Sequence, residues 1–435
     1  MTLPKDFESY FRARWREEEV QALLQGLDGE PSVSIRVNPS RLPADAEPEG
    51  ADGRVPWCPE GFYLKGRPQF TADPLLHAGA YYVQEASSMF LAYVLRTVVM
   101  PRWPQGITTA LDLCAAPGGK STLLRSLLPD DCLLVSNEPN RERAQVLAEN
   151  LAKWGHPKVL VTQAYAAEIA HSIGKEGFVE HPFDLILADV PCSGEGMMRK
   201  EEEAVRQWSP SFVSECAALQ RGIIADIWPA LRPGGFLIYS TCTFNPEEDE
   251  ENVEWIVREL GAEFLQVPVD AAWGIRGDMR AQYSVDEYPS SLITHRFSHF
   301  LPGQVRGEGF FLAVLCKNGS EDADSEDTTA SPKAEKRKKD KRKGKGDAAP
   351  ALTILPTDQL ECEGASRVEL SIEDAIRYLQ REALILPPDA PTGIVQVCFR
   401  GQRLGLMKNL GSRANNLYPK EWRIRSSYTQ PHTLF

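Results

Sequence analysis

Short apolar runs alternate with amphipathic stretches through the middle of the chain, and this alternation limits the fold more than any other sequence feature. The amphipathic stretches at 120–128 and 140–155 have helical periodicity. Five runs of strand length lie at 109–114, 132–138, 158–163, 183–190 and 234–242. Strands that alternate with helices form a mostly parallel sheet covered by helices on both faces. We therefore predict an α/β core for residues 73–318.

The remaining residues divide into three further segments. At 435 residues the chain is long enough for two to four domains, at about 150 residues each. Residues 1–72 combine a helical start with a short strand and predict a small N-terminal α+β region. Residues 319–349 pass from acidic to strongly basic without an aromatic side chain, which predicts a disordered linker. Its basic block could contact RNA phosphates or simply keep a tether solvated. Residues 350–435 predict a small C-terminal α+β domain.

Composition excludes several classes of protein. The sequence has no apolar run of about 18 residues and no apolar leader, so we expect a cytoplasmic protein without a membrane span. Its nine cysteines include no C-x-x-C pair, and we expect reduced thiols. His295 and His299 have helical spacing but no accompanying ligand motif, so we predict a packing or surface pair and no metal site. The net charge is −13, but acidic and basic residues are concentrated in different segments, so this value does not exclude an RNA partner.

The stretch "LDLCAAPGGKST", at 111–122, leads from a strand through a turn of small residues into a helix. Small side chains and glycines allow a ligand to approach the backbone closely. The end of this stretch resembles a phosphate-binding P-loop, but that motif requires glycine where this chain has Cys114. Taken alone, the stretch could also be an ordinary strand–turn–helix.

Three further motifs follow predicted strands. Glu138 ends the second strand and could bind ribose hydroxyls or lie solvated in a loop. Asp189 and Cys192 share the turn "ADVPCSGEG", and Cys242 ends the strand in "YSTCTF". After Cys242, Asn245 and Pro246 predict a helix start with acids in its first turn. Ligands bind beyond the carboxyl ends of parallel strands, so we expect all these motifs to meet in one crevice.

Two thiols and an acid suit methylation of a pyrimidine at carbon 5. That carbon is a poor nucleophile until a thiolate adds to carbon 6 and pushes electron density onto it. An acid must stabilise the charge that reaches the ring, and a further group must serve the elimination that releases the thiol. The reaction is covalent catalysis coupled to acid–base catalysis.

Five motifs in order resemble the S-adenosylmethionine-dependent RNA cytosine-5 methyltransferases of the Sun-related family. They are "HAGAYYVQEASSM", "LDLCAAPGGKST", "NEPN", "DVPCSGEGMMRK" and "LRPGGFLIYSTCTFNPEEDEEN". The C-terminal "GLMKNLGSRANNLYPKEWRI" resembles the tail domain of bacterial members that act on 16S ribosomal RNA. The resemblance covers nearly all of 73–318. Only the resemblance of the C-terminal tail supports ribosomal RNA as the substrate.

The resemblance implies a domain plan, a cofactor and a partner. It implies a Rossmann-like methyltransferase core at 73–318, between an RNA-binding region at 1–72 and a PUA-like RNA-binding domain at 350–435. The implied cofactor is S-adenosyl-L-methionine, and the implied partner is 16S ribosomal RNA or the small ribosomal subunit. We expect no membrane, no metal and no obligate protein partner.

The resemblance also implies roles for individual residues. Cys242 would attack the cytosine and Cys192 would assist product release; the DNA-type enzymes attack instead with the cysteine equivalent to Cys192. Asp189 would contact the methionine end of the cofactor or the cytosine, and Lys120 would supply a cation or be only a surface lysine at a helix start. The cofactor would be bound by Cys114, Ala115, Ala116, Pro117, Gly118, Gly119, Lys120, Glu138 and Asp189. Near the adenine, where the family often has an acid or Asn, this chain has Gln163 and Ala164.

Three other functions stay open at this point. Transfer RNA or another ribosomal RNA could be the substrate. The chain could be a non-catalytic RNA-binding assembly factor that keeps the fold, although the presence of Cys192, Cys242 and Asp189 argues against this. A P-loop nucleotidase is the weakest alternative.

Overall fold

The fold is known from a computed structural model that describes residues 2–281, 292–319, 352–425 and 431–435. A nine-stranded mixed sheet forms its centre, and the predicted α/β fold is confirmed. Its strands are β5 (Thr109–Asp112), β6 (Leu133–Asn137), β7 (Val159–Gln163), β8 (Phe183–Asp189), β9 (Leu231–Thr241), β10 (Ala262–Leu265), β13 (Ser298–Phe300), β14 (Phe310–Lys317) and β15 (Thr353–Leu355). Five adjacent strands, in the order β9-β8-β5-β6-β7, are parallel. The other four are antiparallel to their neighbours.

Helices cover both faces of this sheet because its central strands are apolar on both sides. In β5, Ala110 packs into the cluster on one face and Leu111 into the cluster on the other. The helices of the core are α5 (Gly119–Leu127), α6 (Arg141–Trp154), α7 (Ala166–Ser172), α8 (Glu202–Gln207), α9 (Pro210–Ile227) and α10 (Glu250–Leu260). Helices α5 and α6 cover the first face, and α7, α9 and α10 cover the second. Between β10 and β13, strands β11 (Val267–Asp270) and β12 (Leu292–His295) pair separately.

Three α-helices and a four-stranded sheet form the described part of the N-terminal region. Its elements are α1 (Phe7–Arg12), α2 (Glu17–Leu27), β1 (Val33–Val37), β2 (Ala51–Val55), β3 (Cys58–Leu64), α3 (Pro74–His77) and β4 (Tyr81–Val83), with α4 (Phe90–Val94) leading into the core. The predicted boundary at 72 therefore precedes the last strand of this sheet, since β4 pairs with β1. A single short strand carries no sequence signal for the sheet to which it belongs.

The C-terminal domain pairs β16 (Ser366–Glu369) with β17 (Gly393–Phe399), β18 (Gln402–Asn409) and β19 (Ala414–Asn416), and it packs α11 (Ile372–Leu379) against them. The predicted start of this domain at 350 precedes β15, which instead extends the central sheet beside β7. Residues 320–349 of the predicted linker lie outside the described residues. None of the helices in the described part of the chain combines the length and apolar character needed to cross a bilayer.

Candidate active site

The loop between β5 and α5 is a closely packed turn at the carboxyl end of β5. Gly118 has a φ of 116°, which favours glycine, and a Cβ on Gly119 would lie 3.2 Å from the Tyr82 ring. The carbonyl of Ala116 accepts a hydrogen bond from Arg143, and that of Pro117 accepts one from Asn150. These contacts tie the turn to α6. A turn held in this way could present its backbone to a cofactor that lies across residues 114–120.

Asp112, which the sequence analysis did not single out, ends β5 beneath this loop. It is fully buried, one carboxylate oxygen accepts a hydrogen bond from Ser121 at 2.7 Å, and the other has no partner among the described residues. Burial raises the pKa of Asp112 to about 7; the Ser121 hydrogen bond opposes this, and the charge of Asp189 adds to it. The sequence signal that could have identified Asp112 is its position as an acid near the end of a predicted strand.

Glu138 lies at the end of β6, as the sequence predicts, and is 2% exposed. Its carboxylate accepts a hydrogen bond from the Asn140 backbone at 3.0 Å and pairs with Arg143 at 3.4 Å. Gln163 lies nearby and donates to the Pro139 carbonyl at 3.4 Å. Glu138 is therefore fixed next to the loop after β5, where it could accept hydrogen bonds from hydroxyl groups.

Lys120 and Asp189 form an ion pair across the crevice. The Lys120 Nζ lies 2.9 Å from one Asp189 oxygen, and the Ser240 hydroxyl donates to the other at 2.8 Å. Burial alone would lower the pKa of Lys120, but the charges of Asp189 and Cys242 and the hydrogen bond to Asp189 raise it. Lys120 is therefore a cation inside the site and not a surface lysine.

Cys192 and Cys242 meet in the same crevice, with their sulfur atoms 3.2 Å apart. They are 50 residues apart in the chain, but β8 and β9 are parallel neighbours that pair Asp189 with Ser240. Cys192 is the third residue after β8, and Cys242 is the first residue after β9. A backbone hydrogen bond of 2.9 Å from Gly196 to the Cys242 carbonyl ties the two loops together. Both cysteines are free, as are the other seven.

The surroundings of the two thiols differ in charge. The hydrogen bond with Cys242 and burial raise the pKa of Cys192 well above its usual value, and the charge of Glu248 acts in the same direction. Cys242 instead lies in the field of the Lys120 ammonium. The two sulfurs therefore have different charged neighbours, an acid beside Cys192 and a cation beside Cys242. Burial raises the pKa of the nearby Cys114, which keeps its proton.

The segment after Cys242 differs from the prediction. Asn245 caps a turn by accepting from the Glu248 backbone at 3.0 Å, and the regular helix begins only at Glu250. Glu248, Asp249 and Glu250 are fully buried, whereas acids in the first turn of a helix are usually solvated. Their side chains bond to other polar groups under the site, a contact that no local pattern reveals.

The two histidines lie on consecutive strands of the chain, with His295 at the end of β12 and His299 in β13. His299 is buried and its Nε2 lies 3.1 Å from Glu250, while His295 is half-buried. No group of three or more potential ligands within the described ranges is arranged to hold a metal ion.

Three family models match the chain, in the order of its structural units. Residues 3–86 match the N-terminal domain of 16S rRNA methyltransferase RsmF, 101–316 match 16S rRNA methyltransferase RsmB/F, and 365–424 match the methyltransferase RsmF PUA domain. The ribosomal RNA small subunit methyltransferase F of Aeromonas hydrophila is 30% identical over 89% of this chain and 90% of its own length. The chain belongs to the RsmF family of 16S ribosomal RNA methyltransferases. The predicted family and the C-terminal PUA domain are thereby confirmed.

Some relatives align with this chain over only part of their own length. The Cronobacter sakazakii protein of the same name is 35% identical over 66% of this chain and 57% of its own length, so this chain spans just over half of that relative. Two solved structures from Pyrococcus horikoshii are similar in fold. NSun6 with SFG has a TM-score of 0.54 and 19% identity over 73% of this chain and 99% of its own. A methyltransferase homolog has a TM-score of 0.53 and 24% identity over 72% of this chain and 95% of its own.

Proposed function

We propose that the chain transfers a methyl group from S-adenosylmethionine to carbon 5 of a cytosine in 16S ribosomal RNA, through a covalent bond between Cys242 and the base. One observation carries the proposal: two thiols lie 3.2 Å apart beside the Lys120–Asp189 ion pair. The substrate class follows from the family. Cytoplasmic localisation is proposed with it, since ribosomal RNA is the substrate.

Residues 114–120, Glu138 and Asp189 would hold S-adenosylmethionine, whose bound form supplies an electrophilic methyl group. Gly118, with a φ of 116°, gives the loop after β5 the turn that would place its backbone beside the cofactor. Glu138 offers acceptors to ribose hydroxyls, and Gln163 offers an amide near the adenine. The unpaired oxygen of Asp112 is a further polar group on this side of the crevice.

Cys242 acts as the nucleophile and adds its thiolate to carbon 6 of the cytosine. The charged neighbours support this assignment, because Cys242 lies in the field of the Lys120 ammonium and Cys192 lies in the field of Glu248. Lys120 gives one N–H to Asp189 and keeps two further donors, which suit the negative charge that builds on the ring. Asp189 offers acceptors to the exocyclic amino group.

Cys192 acts in the release of the product. Once the Cys242 sulfur is bonded to carbon 6 it is neutral, so Cys192 no longer faces a thiolate and can lose its proton to water. After methylation the Cys192 thiolate takes the proton from carbon 5. The electrons of that C–H bond form the ring double bond and expel the Cys242 thiolate, which restores the enzyme.

The flanking units would bind the RNA around the target. Exposing carbon 6 of a stacked cytosine costs a few kcal/mol. Contacts to phosphates and RNA shape by the N-terminal region and the PUA domain would offset that cost.

The test is an adduct trap on a denaturing gel. Wild type, Cys242→Ala and Cys192→Ala are incubated with 16S RNA or small subunits and S-adenosylmethionine. Cys192→Ala should accumulate an RNA–protein adduct, because attack proceeds and release fails, and Cys242→Ala should form none. The reverse pattern would exchange the two roles, as in the DNA-type mechanism. An adduct with transfer RNA but not with 16S RNA would change the substrate, and no adduct from any variant would contradict the covalent mechanism.

A further inference from the structure

Two buried carboxylates lie under the cysteine pair, and apart from the charge of Glu248 near Cys192 they have no role in the chemistry above. Glu195 belongs to the loop that carries Cys192, and Glu248 belongs to the segment that follows Cys242. Both residues have no exposed surface. Buried carboxylates are costly unless they are well hydrogen-bonded, so their partners indicate what holds them in place.

Glu195 bonds to the loop of the other cysteine. One of its oxygens accepts hydrogen bonds from the Phe244 backbone at 3.0 Å and from the Thr243 hydroxyl. The other accepts from the Asn245 amide at 3.0 Å and from the Trp208 indole at 2.8 Å. Three of these four donors belong to the segment that follows Cys242.

Glu248 forms hydrogen bonds towards the loop that carries Cys192. One oxygen accepts from the backbone of Ser193, the residue after Cys192, at 3.0 Å and from the Gln220 amide at 2.7 Å. The same amide donates to the Pro191 carbonyl at 2.9 Å. The other oxygen accepts from Asn245 at 2.7 Å, so Asn245 donates to both carboxylates.

Each cysteine loop therefore carries an acid that is hydrogen-bonded to the other loop. Glu195 is bonded through three donors of the segment after Cys242. Glu248 is bonded to the Ser193 backbone directly and to the Pro191 carbonyl by way of the Gln220 amide. We propose that Glu195 and Glu248 are positioning residues, a reciprocal carboxylate clamp that sets the separation of the Cys192 and Cys242 sulfurs. The catalytic consequence rests on the proposed function, because attack by one thiol and release by the other require both near the same carbon atoms. A misplacement of about 1 Å at a reacting group can cost about a hundredfold in rate.

The separation of the two sulfurs can be tested without RNA by using a reagent that binds pairs of neighbouring thiols. Phenylarsine oxide bonds through its arsenic to two neighbouring thiols and releases water, and it binds single thiols only weakly. Wild type should bind it tightly through Cys192 and Cys242, and Cys192→Ala defines the background from the other cysteines. Glu195→Gln and Glu248→Gln should each weaken this binding by about tenfold or more, the size of one hydrogen bond to a charged group.

Two sets of controls separate positioning from stability. Glu250→Gln changes another buried carboxylate of the same segment, but one that bonds to His299, and it should leave arsenical binding unchanged. Thr243→Val removes one donor to Glu195 with little change of shape and should weaken binding, while Thr243→Ser should restore it. The Thr243 variants provide the test if the glutamine variants do not fold. Thermal unfolding shows which variants are folded. Alkylation of Cys242 should persist in every variant that folds.

Unchanged arsenical binding in folded Glu195→Gln and Glu248→Gln, or in folded Thr243→Val, would overturn the clamp. So would an equal loss in Glu250→Gln. With RNA, the clamp variants should lower kcat and leave the KM for S-adenosylmethionine unchanged. If wild type binds the arsenical through both cysteines but forms no methylated RNA, the proposed function fails while the clamp stands.

Discussion

Removing one member of the Lys120–Asp189 pair should damage the protein more than removing both. At the observed 2.9 Å and an effective dielectric constant of about 20, the attraction is about 6 kcal/mol before desolvation. Desolvation of two partly buried ions offsets most of this. The net contribution of the intact pair is therefore small, but a single partner left alone keeps its desolvation cost without the attraction.

We expect Lys120→Met and Asp189→Asn each to reduce the free energy of unfolding by about 3 kcal/mol, at the lower end for buried pairs because the side chains are 16% and 28% exposed. The double variant should lose less than either single variant. Urea titrations of the four proteins, compared as a double-mutant cycle, give the coupling. Arg206→Met is the matched control, since its pair with Glu202 is solvent-exposed and should contribute under about 1 kcal/mol.

The same variants have a kinetic signature. Lys120→Met removes the cation beside Cys242 and should reduce kcat by about a hundredfold to a thousandfold, as for the loss of one group that stabilises a developing charge. Single variants that each lose under about 1 kcal/mol and add in the double variant would refute a buried pair. An unchanged kcat in Lys120→Met would refute the role of Lys120 in stabilising charge beside Cys242.

Three further predictions concern the same crevice. Diamide, which accepts two electrons and two protons, should join Cys192 and Cys242 in a disulfide and abolish activity until a thiol reductant is added, because the sulfurs are already 3.2 Å apart. Glu138→Gln should weaken S-adenosylmethionine binding by about tenfold or more, measured by calorimetry, because a neutral amide accepts hydroxyl hydrogen bonds less strongly. Asp112 has its pKa raised from 3.8 to about 7 mainly by burial, so the folded state holds the extra proton between these values. Stability should fall as pH rises through this window, by about 4 kcal/mol in total, and Asp112→Asn should remove that dependence in urea titrations.

Each of these predictions has its own control. Diamide should not produce the intramolecular disulfide in Cys192→Ala, and a reversible loss of activity there would assign the effect to other cysteines. Glu142→Gln, an exposed change in the first turn of α6, should leave cofactor binding unchanged, and equal losses in both glutamine variants would remove the role of Glu138. A stability that rises with pH between 4 and 7 in wild type but not in Asp112→Asn would reverse the sign expected for a raised carboxyl pKa.

The strands of the core could be predicted because each is an apolar run bounded by turn residues. The structure has β5 to β9 within a few residues of the five predicted runs. Strand β15 was missed because it pairs with β7, nearly 200 residues earlier, and a short edge strand has no periodicity of its own. The boundary at 72 has the same cause, since β4 belongs to a sheet that its own sequence does not identify.

The reactive residues of the candidate site could be predicted because their chemistry is unusual. The buried polar residues that hold them in place were not predicted. Cysteines at strand ends are rare enough to attract notice, whereas Glu248 lies in an acidic run that a sequence reading assigns to solvent. Its burial depends on Gln220 in α9 and on the backbone of Ser193, both distant in the chain. The closing of two loops over a polar layer is a tertiary event, so only the fold reveals which acids in the run are buried.

Strand order explains why the motifs converge. Strand β5 lies between β6 and β8, so the chain leaves it in one direction and later returns on its other side. Loops on the two sides of such a switch point diverge and leave a crevice. The loop after β5 and Glu138 after β6 form the side suited to a cofactor, while Cys192 after β8 and Cys242 after β9 form the side suited to a base. Lys120 and Asp189 span the boundary at 2.9 Å, so one ion pair links the two halves of the site and its loss should affect both cofactor binding and attack.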